Sequence, residues 1–200
     1  MPANKCGGVV NDAVSEQRVG EFLDAVAARE PAPGGGAVAA VTAAAAAGLV
    51  AMAARFTTGE LAESAERADK LRAEVTPLAD VDADAYTAVL AAYRLPRSQP
   101  DRTQRIADAL RAAANVPLRI AAAGAEIAEL AARLAVDGNR NLKGDAQGAA
   151  LLAEGATRTA AGLVRINADL GKLGNAWFAA ADEYVRAATS ASRTAVRSSP

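Results

Sequence analysis

The stretch EPAPGGGAVAAVTAAAAAGLVAMAARFT, residues 30–57, joins a proline-bounded triple glycine to a long run of uncharged helix formers. Gly34, Gly35 and Gly36 can take φ > 0 and admit a ligand or another backbone where a Cβ would collide. The alanines from Ala37 onward favour a helix whose first N–H groups lack intrahelical acceptors, and such a start attracts anions. Two readings fit: a tight turn feeding a buried helix, or a loop held against a ligand. The charge-free span from Pro31 to Ala54 is long enough to cross a bilayer, but only Val38, Val41, Leu49, Val50 and Met52 in it are large and apolar. That is a weak total on a transfer scale, so the expectation is a buried central helix and no membrane partner.

Working outward, 200 residues point to one domain with a sizeable core. Hydrophobic residues reach 52% while aromatics are only 4%, so alanine, leucine and valine carry the core and its helices must pack closely. The 22 basic and 23 acidic residues leave a net charge of −1 and are dispersed along the chain, which argues against nucleic acid. Cys6 is the single cysteine and histidine is absent. No internal disulfide can form, a structural zinc site is not expected from these ligands, and the compartment expected is the cytoplasm. The segment MPANKCGGVVND lacks the apolar core of a secretory signal.

Breakers divide the rest into helices. A first helix is expected over 15–29, capped by Ser15, with Val19, Phe22, Leu23 and Val26 on one face. A second runs over 37–56, and a third over 60–94 that Pro77 kinks or divides. Asp101 and Gln104 resemble a capping box opening a fourth helix to Val136, with a kink near Asn115 ahead of Pro117. After DGNRNLKGD, Asp145 is placed to cap a fifth helix over 146–170, and a last one spans 175–194. No alternating strand pattern is present. The expectation is all-α, a single-domain bundle of at least five helices over 15–196, with tails at 1–14 and 197–200. Small residues on every helix favour a two-fold dimer.

The run DVDADAY, 80–86, mimics the start of a calcium loop but has Ala85 where glycine belongs and Ala91 where the bidentate glutamate belongs. On a helix Asp82, Tyr86 and Tyr93 share a face. They could hold a flat cationic heterocycle by pairing and stacking, or be two core tyrosines beneath a solvated aspartate. PGGG lacks the Lys-Ser/Thr of a phosphate loop and the preceding strand of a dinucleotide fold. Without histidine, carboxylates, Lys143, Lys70, tyrosines and asparagines are the available catalytic groups.

The order PGGG, MAARFT, DADAY, YRLP, NVPL, GNRNLKGDA and RIN across residues 15–180 resembles the formiminotransferase-cyclodeaminase C-terminal family. The resemblance implies an all-helical dimeric domain acting on a one-carbon-substituted tetrahydrofolate as substrate, with no metal or other cofactor. It implies a site from Gly34, Gly35 and Gly36, Asp82, the Tyr93–Pro96 corner, and Asn139, Asn141 and Asp145. Asp82 or Asp145 would stabilise the cationic methenyl carbon and take a proton from water, and Lys143 or a protonated carboxylate would donate a proton to a leaving nitrogen. Tyr86 and Tyr93 would stack, Asn139 and Asn141 would hold the pterin edge or position the water, and the helix N-terminus after Gly36 with Arg94 or Arg55 would meet the glutamate tail. Hydrolysis of the methenyl group ranks ahead of formimino deamination, with a non-catalytic folate- or protein-binding dimer third.

Overall fold

The computed structural model describes residues 13–197, and all regular structure among them is helical. Seven α-helices follow in order: α1 Val19–Ala27, α2 Gly35–Arg55, α3 Ser64–Val75, α4 Leu78–Arg94, α5 Arg102–Asp137, α6 Lys143–Gly171 and α7 Asn175–Arg197. Short 3-10 turns cover Val14–Glu16, Gly59–Glu63 and Arg140–Leu142. The all-α expectation is met. Residues 1–12 and 198–200, and with them Cys6 and most of the two expected tails, lie outside the described residues.

α2 is the axis of the molecule and touches α3, α4, α5 and α6. Its buried face is almost wholly alanine: Ala37, Ala40, Ala43, Ala46, Ala47 and Ala54 are fully buried. A methyl group keeps neighbouring helix axes near the lower end of the usual 8–10 Å separation, so burial here comes from close approach. The same helix is long and apolar enough to cross a membrane, and more than half of it is buried within the protein.

α5 and α6 form the most extensive helix pair. At their crossing a Cβ on Gly124 would collide with the Thr157 hydroxyl and sit 3.3 Å from the Ala153 carbonyl oxygen, to which Thr157 Oγ1 donates at 2.8 Å. Gly124→Val is therefore expected to cost about 1–3 kcal/mol by overpacking, read as a lower urea midpoint with an unchanged slope. An unchanged midpoint would contradict this crossing. On the other side of α6, burial pushes the Glu154 carboxyl up, but donors from Ser192, Arg158 and Thr189 outweigh it and hold the carboxyl below its ordinary value. This tie between α6 and α7 is complete above the unfolded-state value and is lost as pH falls through the lowered folded one.

Pro77 divides the third helix: α3 stops at Val75 and α4 starts behind Pro77. α5 runs through Pro117 as one helix of 36 residues. The Asp101–Gln104 capping box does not form, because Gln104 Nε2 donates to Asp108 one turn on and Asp101 pairs with Arg105. α1 begins at Val19 with Arg18 as its N-cap residue, where Ser15 was expected, and Val19 and Leu23 on its apolar face are exposed while Phe22 is buried. α6 begins at Lys143, so Asp145 lies in its first turn and is not its cap.

Candidate functional site

At the start of α2 the chain leaves a cleft of about 260 Å³. Its floor is Gly34, Gly35 and Gly36, its walls are Asp82, Ala83 and Tyr86 of α4 and Leu163, Ile166 and Asn167 of α6, and Pro31 and Ala32 close one end. The glycines do not use left-handed backbone. Gly34 is extended at φ −120°, and Gly35 and Gly36 form the first turn of α2, so the helix starts two residues earlier than expected.

Gly36 is required by a neighbour. A Cβ there would fall inside the carboxylate of Asp82, which accepts a hydrogen bond from the Ala37 backbone N–H. α2 has no side-chain cap from its own N-terminal residue, so Asp82, from α4, satisfies one of the orphan backbone donors at that end. Burial pushes the Asp82 carboxyl above its ordinary value, and the Ala37 N–H partly offsets this. A half-buried carboxylate with a raised proton affinity, facing a cleft, has the electrostatics of a general base. Tyr86, one turn along α4, lines the same cleft and is 45% exposed, so its ring face is available for stacking.

The sequence-derived set separates into two groups. Gly34, Gly35, Gly36, Asp82 and Tyr86 converge on the cleft. Tyr93 and Arg94, two turns beyond, do not line it; the Tyr93 and Leu95 carbonyls accept from Arg102, which fixes that corner. Asn139, Asn141, Lys143 and Asp145 sit at the opposite end of α2. Asn139 donates through Nδ2 to the Phe56 carbonyl at 2.8 Å and through its backbone N–H to Thr57 Oγ1 at 3.2 Å, while its Oδ1 accepts from the Asn141 N–H. The Asn139 amide is thus engaged in holding its loop. The length of α2, 21 residues, puts about 31 Å between the two ends. Arg55 is at the far end too, paired with Asp69, so it cannot meet a ligand tail at the cleft of its own chain.

Asn167 is a cleft residue to which sequence reasoning gave no role. Pro117 has no N–H, so the Ala113 carbonyl, four residues back, loses its helical donor; Asn167 Nδ2 supplies it at 2.9 Å. This bond orients the amide and leaves Oδ1 as an acceptor at the cleft wall. The proline inside the helical pattern was the available signal, because a mid-helix proline leaves an orphan carbonyl to satisfy. Asn167→Ala is expected to cost about 1–3 kcal/mol for the unsatisfied carbonyl and to raise KM. Wild-type values for both would remove the assignment. Among the described residues no three carboxylate or cysteine side chains converge to hold a metal ion.

The cleft thus joins a glycine floor at a helix start to a half-buried carboxylate within an all-α bundle. The model of the formiminotransferase-cyclodeaminase family matches residues 18–181. The chain belongs to that family. It is 35% identical over 160 residues to methenyltetrahydrofolate cyclohydrolase from Methylorubrum extorquens, covering 74% of this chain and 77% of that one. It is also 35% identical over 142 residues to formimidoyltransferase-cyclodeaminase from Rattus norvegicus, a match covering 64% of this chain and 26% of the longer relative. The crystal structure of formiminotetrahydrofolate cyclodeaminase from Thermotoga maritima superposes with a TM-score of 0.83 at 27% identity, over 92% of this chain and 96% of that one.

Proposed function

We propose that the protein hydrolyses 5,10-methenyltetrahydrofolate to 10-formyltetrahydrofolate. The observation that carries this reading is the half-buried Asp82 carboxylate beside Tyr86 on the α4 wall of the cleft, next to the glycine floor, in a chain similar over most of its length to a cyclohydrolase. The methenyl carbon bridges two nitrogens that share one positive charge. Asp82 stabilises that charge and accepts a proton from water as the oxygen bonds to the carbon. The tetrahedral adduct then breaks its bond to N5, the hydroxyl proton passes to N5, and the proton on Asp82 returns to solvent. The Asn167 Oδ1 and the Tyr86 ring orient the pterin. Loss of methenyl absorbance on adding enzyme tests the reading, and no loss above the uncatalysed rate rejects it.

Formimino deamination is the second reading, favoured by the likeness to the Thermotoga maritima cyclodeaminase; there N10 attacks the formimino carbon and ammonia leaves. Ammonia release from 5-formiminotetrahydrofolate identifies it. Either reaction needs the charged form of Asp82. Since burial raises its proton affinity, kcat/KM is expected to fall on the acid side with a midpoint above the usual aspartate value of about 4. Asp82→Asn should lack that limb, whereas an acid midpoint at the ordinary value would point to an exposed carboxyl.

A further inference from the structure

We propose that a groove between α6 and α7, separate from the cleft, binds a chain of linked phosphoryl groups. The groove has a volume of about 490 Å³, and four arginines line it: Arg158 of α6 and Arg186, Arg193 and Arg197 of α7. It shares no lining residue with the cleft at the start of α2. On α7 the lining positions 186, 189, 190, 193, 194 and 197 keep the three- and four-residue spacing of one helix face. By helical rise the stripe from Arg186 to Arg197 is about 16 Å long.

Contacts within the chain do not account for these arginines. Arg186, Arg193 and Arg197 are exposed and make no ion pair or hydrogen bond among the described residues. Like charges four apart, as at Arg193 and Arg197, oppose a helix. The negative end of the α7 dipole favours cations in the last turn, but its effect does not extend to Arg186, about three turns earlier. Arg158 is held differently. Its Nε donates to Glu154 at 2.8 Å and its Nη2 to Thr189 Oγ1 at 3.0 Å, and Thr189 and Ser192 also donate to Glu154. That network keeps the Glu154 carboxylate out of the lining and fixes the arginine above it, with Nη1 unpartnered among the described residues. No carboxylate lines the groove; Glu129 and Asp137 lie beyond Ser190 and Thr194, in the neighbouring α5–α7 groove with Arg133. A strongly positive groove therefore stands on a chain whose net charge is −1.

The chemistry of the lining selects the ligand. Guanidinium forks pair bidentately with phosphoryl or carboxylate oxygens, and Thr189, Ser190 and Thr194 set hydroxyls among the arginines. Val185 is the single apolar side chain of the lining, and no aromatic ring is present. A nucleobase has nothing to stack on there, and a peptide has no pocket for an apolar anchor. Over about 16 Å an extended acidic peptide turns about three carboxylates to one face. It also brings backbone N–H donors that arginine, which has no acceptor, cannot meet. A phosphate chain presents charge and acceptor oxygens in every group, which matches a lining of donors.

Calorimetric titration of the whole protein with tripolyphosphate, at low ionic strength and without folate, tests this. The wild type should bind, and Arg186→Gln combined with Arg193→Gln should weaken binding at least ~10-fold. Neither arginine bonds within the chain, so Tm should move no more than for ordinary surface changes. Arg111→Gln combined with Arg119→Gln removes the same charge from exposed positions outside the groove and should leave affinity within about twofold, since distant surface charges are screened. Orthophosphate should bind at least ~10-fold more weakly than the chain, because it cannot engage the row of arginines at once. No binding of tripolyphosphate overturns the site. An equal loss in the control pair shows diffuse charge attraction and overturns it too, and orthophosphate binding as tightly overturns the row. Hexaglutamate bound more tightly than tripolyphosphate assigns the groove to acidic peptides and rejects phosphate. ATP bound no more tightly than tripolyphosphate supports recognition of the phosphate chain alone, and equal affinity means that a nucleotide-borne chain is read as well as a free one. ATP bound ~10-fold more tightly reveals a base pocket and overturns that recognition. Turnover of methenyltetrahydrofolate is a property of the cleft, so its absence would reject the proposed reaction and leave this groove as it stands.

Discussion

Asp82→Asn is expected to lower kcat on methenyltetrahydrofolate by at least ~10²-fold, the low end for loss of general acid–base catalysis, with a smaller change in KM. The substitution is close to isosteric, and the asparagine Oδ1 can still accept from the Ala37 N–H that caps α2. Stability should be retained for a further reason. Burial raises the folded proton affinity of this carboxyl, so the folded chain binds its proton more tightly than the unfolded one. Its contribution to stability is present below the unfolded value and lost as pH rises through the folded value; at neutral pH the charge is a cost that asparagine removes. A Tm at or above wild type together with the kcat loss separates chemistry from folding. An unchanged kcat would move the base to Asp145.

Gly36→Ala is expected to be nearly as damaging although it adds only a methyl group. That methyl would occupy the space of the Asp82 carboxylate, and the carboxylate must swing away from Ala37 and from its place in the cleft wall. Misplacement of a reacting group by about 1 Å can cost ~10²-fold in rate, and kcat/KM should fall by that order. Helical content should stay intact because alanine is a better helix former than glycine, and circular dichroism with kinetics on the same sample checks both parts. Wild-type turnover in this variant would show that the carboxylate does not act from the position it holds here.

The alanine run and its breakers made the helices legible, because alanine and proline act through local backbone energetics. Pro77 separated α3 from α4 as a proline should. The Asp101–Gln104 box was misread because Gln104 had a competing partner in Asp108, a choice decided by rotamers. Asp82 and Tyr86 were found together because a helix keeps residues four apart on one side. Of the two reasons read for the three glycines, left-handed backbone is not used, whereas the room left by a missing Cβ is: Gly36 clears space for a side chain from α4, a tertiary contact whose partner the local sequence does not name. Asn139, Asn141, Lys143 and Asp145 were grouped with Asp82 because motif order carries no distance, and the bonds from Asn139 to Phe56 and Thr57 place that loop at the other end of α2.

The alanine lining of α2 has a mechanical consequence. A core of leucines can absorb a disturbance by changing rotamers, but a methyl group has no torsion that repositions heavy atoms. Where Ala37, Ala40, Ala43, Ala46 and Ala47 are the packing surface, strain at one place cannot be taken up locally and must move the helix as a rod. A push on the glycine end therefore arrives, with little damping, at Phe56 and Thr57, where the asparagine loop is tied on.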